Sequence, residues 1–423
     1  MNNFRDVVNF LEGLQVMPKT MPGLQKLKAA LEQTPWFKDI DPGKVIVVAG
    51  TNGKGSTCAA LEALLLDAGQ RTGFYSSPHL VCTTERIREN GAAVSEETFV
   101  KLFNACEGLI RTCELSHFEA LTLMAGQFFF GRAQEGAALD FVIFEVGLGG
   151  TFDATNAFPH KYNIITALGF DHTSILGHTL PEIAANKFGI IGKKSIVVHQ
   201  PLANELLDLR ATVKKNTNSN WIETDRAHLR VDSESREPRY YVQYLEEEFE
   251  IGLPGRRAME NIMNAVTMFQ VLGFDFRLHS KALRNLSWQG RMQKLHWPPL
   301  KCPLYVSGDH NEQGMLSLLE ILEDFRWHNL HFVVGIGVDK NSSAMFELLS
   351  KVPRSKIYLT ETPFKGIRIG DYSQAALTAA AGSDSEVSVL LEQISLKAKA
   401  EDLCVVTGSL YLVGKVLALT PVK

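Results

Sequence analysis

Apolar residues in this chain keep two rhythms. Short unbroken runs recur at 45–49 (VIVVA), 140–145 (DFVIFE), 163–168 (NIITAL), 304–306 (LYV), 330–335 (LHFVVG), 356–359 (KIYL) and 403–406 (LCVV). Runs that do not alternate with polar residues suit strands covered on both faces, as in a parallel sheet. Between them, apolar positions repeat at helical spacing: Phe4, Val7, Val8, Leu11 and Leu14; Leu61, Leu64, Leu65 and Ala68; Phe99, Leu102 and Phe103; much of 118–130; Ile183, Ala184 and Phe188; and 258–272. Ser95, and Thr179 with Glu182 as a capping box, open two of these helices. Strands alternating with helices predict an α/β fold. The polar stretch 200–252 breaks the pattern, and its alternating YYVQYL at 240–245 predicts an antiparallel elaboration with Glu246 to Glu248 on a solvated face. The character shifts again near Gln289-Gly290-Arg291, which predicts one domain over 1–290 and a second, smaller α/β domain over 291–423. Two such domains imply a nucleotide held between them and closure during turnover.

The chemistry concentrates after the first run. Gly50-Thr-Asn-Gly-Lys-Gly-Ser-Thr57 joins that strand to the helix carrying Leu61. Its glycines let successive N–H groups converge on one anion, Lys54 adds a compact positive charge, and a helix N-terminus completes a phosphate cradle. The loop is a variant of G-x-x-x-x-G-K-[ST], with Val48 in the place of the first glycine and Gly55 after the lysine. Later strands end in polar groups on the same expected edge: Ser77 after the run at 72–75, Glu145, and Asp171-His172 after 163–168. An unpaired carboxylate is expensive to bury, so Glu145 should meet a cation or donors. Taken singly, Ser77 is a turn former, His172 a structural histidine, and Lys187 a lysine snorkelling from an apolar helix face. Taken together beside bound phosphates, Ser77, Glu145 and His172 describe a Mg²⁺ site. Past the domain boundary, Ser307-Gly-Asp-His-Asn311 follows a strand at the same kind of crevice.

Composition narrows the field. With 45% apolar and 21% charged residues and a net charge of −4, the chain reads as an ordinary globular protein whose anionic ligands are met by local positive charge, not as a nucleic-acid binder. It starts without a basic-then-apolar leader and holds no uninterrupted apolar stretch near about 18 residues, so a cytoplasmic protein without a membrane partner is expected. Cys58, Cys82, Cys106, Cys113, Cys302 and Cys404 form no C-x-x-C pair and read as reduced, space-filling thiols. A monomer is expected.

Several motifs now act together: Gly50 to Thr57, Ser76-Ser-Pro-His-Leu80 with Glu85-Arg86-Ile87, Glu145-Val-Gly-Leu-Gly-Gly150 with Asp153-Ala-Thr-Asn156, Asp171-His172, Lys187-Phe-Gly-Ile190, and Gly408-Ser-Leu-Tyr411. In order and spacing the sequence resembles the folylpolyglutamate synthase/dihydrofolate synthase family, relatives of the Mur peptide ligases. The resemblance implies a Mur ligase architecture, with a P-loop NTPase-like N-terminal domain and a Rossmann-like C-terminal domain. It implies ATP-dependent joining of L-glutamate to dihydropteroate or a folate, with ATP and two Mg²⁺ as cofactors. ATP would be met by Thr51, Asn52, Gly53, Lys54, Gly55, Ser56, Thr57, Asn264, Arg291, Ser307, Asp309 and His310. The pterin would be met by His79, His117, Phe118, Glu119, Ala120, Phe152, Asp153 and Ala154. Ser77, Glu145 and His172 would hold one Mg²⁺ and Lys187, carbamylated, a second, so that Lys54, His172 and Lys187 form the catalytic set.

Three positions depart from the family's pattern. Ser307-Gly-Asp-His-Asn-Glu312 stands where D-G-A-H-N-P is usual, Thr151 stands where G-G-R-x-D-A-T-N has arginine, and Gln289 replaces the proline of P-G-R. Two other readings stand beside the resemblance: a Mur-type ligase acting on a UDP-sugar peptide, and a P-loop NTPase whose hydrolysis drives a partner.

Overall fold

The computed structural model describes residues 1–15, 23–132 and 138–420. The chain divides into two compact units, Met1–Arg226 with Glu260–Leu283, and Ala227–Met259 with Arg284–Lys423.

The first unit is built on eight strands: β1 (Val45–Ala49), β2 (Thr72–Tyr75), β3 (Ile87–Glu89), β4 (Ala92–Ala93), β5 (Phe141–Glu145), β6 (Tyr162–Ile165), β7 (Ile196–His199) and β8 (Asn220–Glu223). They lie in the order β4-β3-β2-β5-β1-β6-β7-β8, and β3 and β4 are antiparallel additions to an otherwise parallel sheet. All five residues of β1 are buried, as its unbroken β-branched run requires. β1 lies between β5 and β6, so the chain leaves it on one side towards β2 and β5 and on the other towards β6 to β8. That reversal opens a crevice at the carboxyl ends of β5, β1 and β6, where ligands of open α/β sheets bind. Ten residues of the helix Lys54–Asp67 are buried, so it is enclosed, and the loop ahead of it is presented from a rigid base. One face of the sheet packs on the helices Phe4–Glu12, Glu96–Thr112 and His117–Gly131. Phe144 stacks on Phe158 there at 4.7 Å, a pairing worth about 1 kcal/mol beyond its buried area.

The second unit holds β9 (His228–Asp232), β10 (Arg239–Tyr244) and β11 (Glu247–Ile251) in an antiparallel sheet. Its main sheet comprises β12 (Gln293–Leu295), β13 (Leu304–Val306), β14 (Leu330–Val334), β15 (Ser355–Leu359), β16 (Gly382–Ser383) and β17 (Leu403–Thr407). Their order is β12-β13-β17-β14-β15-β16, parallel apart from β12. The helices Glu312–Asp324, Ser342–Ser350, Val387–Ser395 and Leu410–Leu419 alternate with these strands, as in a Rossmann-like α/β unit.

Two expectations need adjustment. Within 200–252 the antiparallel part is confined to β9, β10 and β11, while Leu207–Thr217 is helical and β8 adds a parallel strand to the first sheet. The helix has no buried residue of its own, so no apolar stripe betrays it in the sequence. The chain also does not divide by a single cut at 290: β9 to β11 cluster with the C-terminal unit, and Glu260–Leu283 returns to the first. All six cysteines are free thiols, and burial raises the Cys58 pKa well above the ordinary thiol range, which leaves it inert. Among the described residues no helix is long and apolar enough to cross a membrane.

Candidate active site

The loop after β1 is stitched to the strand beside it. Thr51 N donates to Ala167 O at 2.8 Å, Thr166 Oγ1 donates to Asn52 O at 2.7 Å, and Gly169 N donates to Thr51 Oγ1 at 3.1 Å. Gly53 caps the helix Lys54–Asp67 with φ +89°, a left-handed angle, and a Cβ there would lie 2.1 Å from Asn261 Oδ1. No other residue type fits that corner, so the amides of 53–56 stay open to an anion at the helix N-terminus, while Thr57 N makes the helix's first bond, to Gly53 O at 2.9 Å. Thr57 Oγ1 donates to Asn261 O at 3.1 Å, which ties the cradle to the helix Arg256–Val271. Asn264, one turn further along that helix, is 0% exposed, and among the described residues neither atom of its side-chain amide has a hydrogen-bond partner.

Lys54 Nζ donates to Gly50 O at 3.2 Å and to Thr51 O at 3.3 Å. Lys187 Nζ donates to the same Gly50 carbonyl at 2.8 Å. Lys187 is 5% exposed, which corrects the reading of a snorkelling surface lysine. Burial, and next the Lys54 charge, lower its pKa from 10.5 to about 7, against the opposing pull of Asp171 and Asp153. Two amines facing one carbonyl across an anion cradle form a local positive focus in a chain whose net charge is negative.

The loop after β5 fixes Lys187 in place. The Asp153 carboxylate accepts from Gly147 N at 3.0 Å, Leu148 N at 2.9 Å, Thr155 N at 3.0 Å and Thr155 Oγ1 at 2.6 Å. These bonds fold the loop back on itself and offset the burial that raises the acid's pKa. Thr151 N and Oγ1 both donate to Asn186 O at 2.9 Å, and Asn156 Nδ2 reaches Thr151 O and Gly189 O at 3.1 Å. A Cβ on Gly150 would lie 2.7 Å from Asn186 O and 2.8 Å from Lys187 O, so this approach requires glycine. The residue that departs from the family's arginine therefore clamps the backbone beside Lys187.

Glu145 ends β5 buried and accepts from Ser77 N at 3.1 Å, which brings together two of the expected metal residues from neighbouring strands. His172 has a left-handed φ of +49°, accepted by a non-glycine residue at some strain, and its N–H donates to Asp171 Oδ1 at 2.8 Å. Among the described residues no three His, Cys, Asp or Glu side chains converge as a metal cluster. The expected set holds only two of those types. One carboxylate, one imidazole and one hydroxyl, completed by phosphate oxygens and water, fit the sparse protein coordination habitual for Mg²⁺.

Two neutral histidines flank the loop after β2. Arg86 Nε donates to His79 Nδ1 at 2.8 Å, which leaves the His79 proton on Nε2. Burial and then the Arg86 charge lower the His79 pKa to about 3. His117 Nδ1 lies 2.8 Å from Leu11 O and must donate to it, so its Nε2 is an acceptor. Burial lowers the His117 pKa as well. His79 thus offers a donor and His117 an acceptor at any pH near neutrality. Glu119, expected at the pterin, uses its carboxylate to cap its own helix at Ser116 N (2.9 Å) and Ser116 Oγ (2.6 Å). Ala120 and Ala154 are buried, Phe118 lies over Gly147, and Phe152 stays 44% exposed. Arg86, Glu85, Asn261 and Thr166 were missing from the expected site. Glu85 holds the turn after β2 by accepting from Leu80 N, Val81 N and Cys82 N. The one sequence signal was the E-R-I triplet beside S-S-P-H-L.

In the second unit, Arg291 Nη1 donates to Gly308 O at 3.5 Å, and Gly308 N donates to Gly290 O at 2.8 Å. Ser307 Oγ donates to Asp309 Oδ2 at 2.6 Å, and His310 Nδ1 lies 2.8 Å from Gly308 O. The expected residues 291, 307, 309 and 310 are therefore gathered at the end of β13.

A phosphate cradle on one α/β unit and a basic strand end on another are the parts a Mur-type ligase uses, and residues 48–269 match the Mur ligase middle domain. The chain is thus a Mur ligase by class, an ATP-dependent carbon–nitrogen ligase. Along most of its length it is 30% identical, over 386 residues and 89% of each chain, to the dihydrofolate synthase/folylpolyglutamate synthase of Buchnera aphidicola subsp. Acyrthosiphon pisum. The protein of the same description from Bacillus subtilis is 28% identical over 87% of this chain and 88% of its own. A crystal structure of the bifunctional folylpolyglutamate synthase/dihydrofolate synthase from Yersinia pestis with AMPPNP and Mn aligns at a TM-score of 0.82 and 29% identity, covering 99% of this chain and 98% of that one. The chain belongs to the dihydrofolate synthase/folylpolyglutamate synthase family. That membership displaces both the UDP-sugar ligase and the partner-driving NTPase.

Proposed function

We propose that this protein joins the amine of L-glutamate to the carboxylate of dihydropteroate, of folates, or of both, at the expense of ATP. The observation that carries the reading is the convergence of Lys54 and Lys187 on the Gly50 carbonyl at the mouth of the phosphate cradle. Support for the co-substrate comes from a related structure at 29% identity, described with Mn, AMPPNP and L-glutamate bound. The reading takes the protein as a cytoplasmic monomer acting on small molecules.

In this mechanism the amides of 53–56 and Lys54 would hold the ATP phosphates, and Asn264 and Arg291 would meet the nucleotide. An orphaned buried amide costs about 1–3 kcal/mol, a cost that a nucleotide contact at Asn264 would remove. Ser77, Glu145 and His172 would hold Mg²⁺, with Lys187 as its carbamate holding a second, and the chemistry supplied there is neutralisation of charge on the transferring phosphoryl group. The acceptor carboxylate attacks the γ-phosphorus, the bond from that phosphorus to the β–γ bridging oxygen breaks, and ADP leaves an acyl phosphate behind. The neutral amine of glutamate then attacks the acyl carbon and expels phosphate, its surplus proton leaving to the phosphate or to solvent. Both steps spread negative charge, which Lys54 and the loop amides are preorganised to meet, so no protein nucleophile is required. On this reading His79 and His117, neutral with opposite hydrogen-bonding sense, would read the donor and acceptor edge of a pterin.

The test is ADP release with MgATP and L-glutamate in the presence of dihydropteroate, tetrahydrofolate or no acceptor, with product masses checked. Acceptor-dependent release with a gain of one glutamate is expected, and silence with both acceptors would overturn the reading. His172→Ala should lower turnover on the order of 10²-fold and raise the Mg²⁺ requirement. A near-normal rate at saturating MgATP would remove His172 from the metal set.

A further inference from the structure

The resemblance places Thr51 and Asn52 at the nucleotide, yet the main chain of both and the Thr51 side chain bond to the segment that follows β6. Thr51 N and Asn52 N donate to Ala167 O at 2.8 Å and 3.4 Å, and Asn52 O accepts from Thr166 Oγ1 at 2.7 Å. The Thr51 hydroxyl closes the seam, donating to Gly169 O at 3.0 Å and accepting from Gly169 N at 3.1 Å. A hydroxyl carries one proton, so with Gly169 O as its acceptor it has none left to give a phosphate. The amides open to an anion begin beyond the seam, at Gly53.

What this hydroxyl holds is the route to His172. From Thr166 to Asp171 the chain is in neither helix nor strand, so its backbone groups need partners from outside the segment. The phosphate loop supplies them to Ala167 O and to both main-chain polar groups of Gly169. Packing contributes less. Leu168 lies against the core, but Phe170 is 60% exposed. Three residues past Gly169, His172 takes its left-handed φ of +49° and opens the short helix Thr173–Leu176. The reach of the imidazole from the phosphate cradle therefore depends on where Gly169 is held.

We propose that Thr51 is a positioning residue, whose hydroxyl clamps Gly169 and so sets His172 at a fixed reach from the cradle. The proposal rests on the reading of His172 as a metal ligand. Its consequence is selective: losing the hydroxyl should loosen the hold on the metal and leave the hold on the anion. The amides of 53–56 are untouched by the change, and the backbone bonds from Thr51 N and Asn52 N to Ala167 O remain. Removing a group that orients a metal ligand from behind typically costs about 10- to 100-fold in metal affinity.

The experiment uses the intact protein and Mn²⁺ as the probe, with the free ion followed by electron paramagnetic resonance in the presence of AMPPNP. Calorimetry with AMPPNP and no metal reads the cradle alone. Thr51→Val, which keeps the shape and drops the hydroxyl, should weaken Mn²⁺ binding about tenfold or more and shift metal-free AMPPNP binding by less than about twofold. Thr51→Ser, which keeps the hydroxyl, should stay within about threefold of the natural protein for both. In a His172→Ala background the Thr51→Val change should add nothing to the loss of Mn²⁺ affinity, since a residue acting through His172 has nothing left to position. Unchanged Mn²⁺ binding in Thr51→Val would overturn the proposal, as would a Thr51→Ser variant equally weak. So would an equal loss of metal-free AMPPNP binding, the mark of a direct phosphate contact, or a comparable further loss of Mn²⁺ in the His172→Ala background. Failure of the underlying reading shows without any change at Thr51: His172→Ala alone would then bind Mn²⁺ as the natural protein does.

Discussion

Replacing Lys187 with alanine is expected to lower kcat by at least about 10²-fold while leaving the fold intact. The amine is buried, 2.8 Å from Gly50 O, and its pKa lies near 7 because burial and Lys54 oppose its charge. A neutral amine attacks carbon dioxide, and an ammonium does not. Near neutrality this lysine is therefore poised to become a carbamate, which would turn a repulsion with Lys54 into an attraction. Two measurements separate that role from a merely cationic one. A short carboxylic acid such as acetate should restore part of the activity of Lys187→Ala, and the natural protein should lose activity in carbon-dioxide-depleted buffer. Rescue by a short amine instead would show that the lysine works as an ammonium. The pH dependence has a definite sign. The folded pKa is depressed below the unfolded one, so the unfolded chain binds the extra proton between about pH 7 and 10.5, and stability rises with pH across that window. The penalty is fully present below pH 7. The alanine variant should lack this rise, and thermal melts across the window would show it.

The strands around the site were legible because burial on both faces leaves an unmistakable mark. The runs at Val45–Ala49, Phe141–Glu145 and Leu403–Thr407 allow hardly any polar residue, and each is a buried central strand. The phosphate loop was legible for a related reason: a left-handed cap against Asn261 leaves only glycine at residue 53. What stayed hidden depends on residues that touch in space alone. Arg86 sets the tautomer of His79 from seven residues away, and Asn261 receives the loop from 204 residues beyond Thr57. Neither separation carries a periodic signal. Lys187 shows the limit most clearly, because its helix is amphipathic and the pattern alone places a lysine at the margin of an apolar stripe. In the fold the residue is 5% exposed and its amine reaches the Gly50 carbonyl, 137 residues away in sequence. Asp153 and Glu119, expected at a ligand from the resemblance, also accept from backbone amides that shape the surrounding loops, a task no sequence pattern announces.

Lys54→Met should be as severe as the loss of Lys187, and through two routes that can be told apart. The first is direct. Among the described residues Lys54 Nζ donates to the carbonyls of Gly50 and Thr51 and meets no carboxylate, so its charge is available to phosphate, and removing it should reduce kcat/KM for ATP about 10²- to 10³-fold. The cradle itself should survive, since Thr51 N, Thr166 Oγ1 and Thr57 Oγ1 hold it without the lysine. A melting temperature close to that of the natural protein is therefore expected. The second route runs through Lys187. Lys54 is the second cause of its depressed pKa after burial, so losing that charge lets the Lys187 pKa climb back and shrinks the neutral fraction at pH 7. The residual activity of Lys54→Met should accordingly peak at higher pH than that of the natural protein, and its demand for bicarbonate should grow. Lys54→Arg keeps the positive charge, so it should leave the pH profile unmoved while still losing rate, because a planar fork does not replace a compact ammonium between two carbonyls. If Lys54→Met lost activity with no shift in its pH profile, the two lysines would be electrostatically independent, and the phosphate cradle would have to work without the coupling that their shared carbonyl provides.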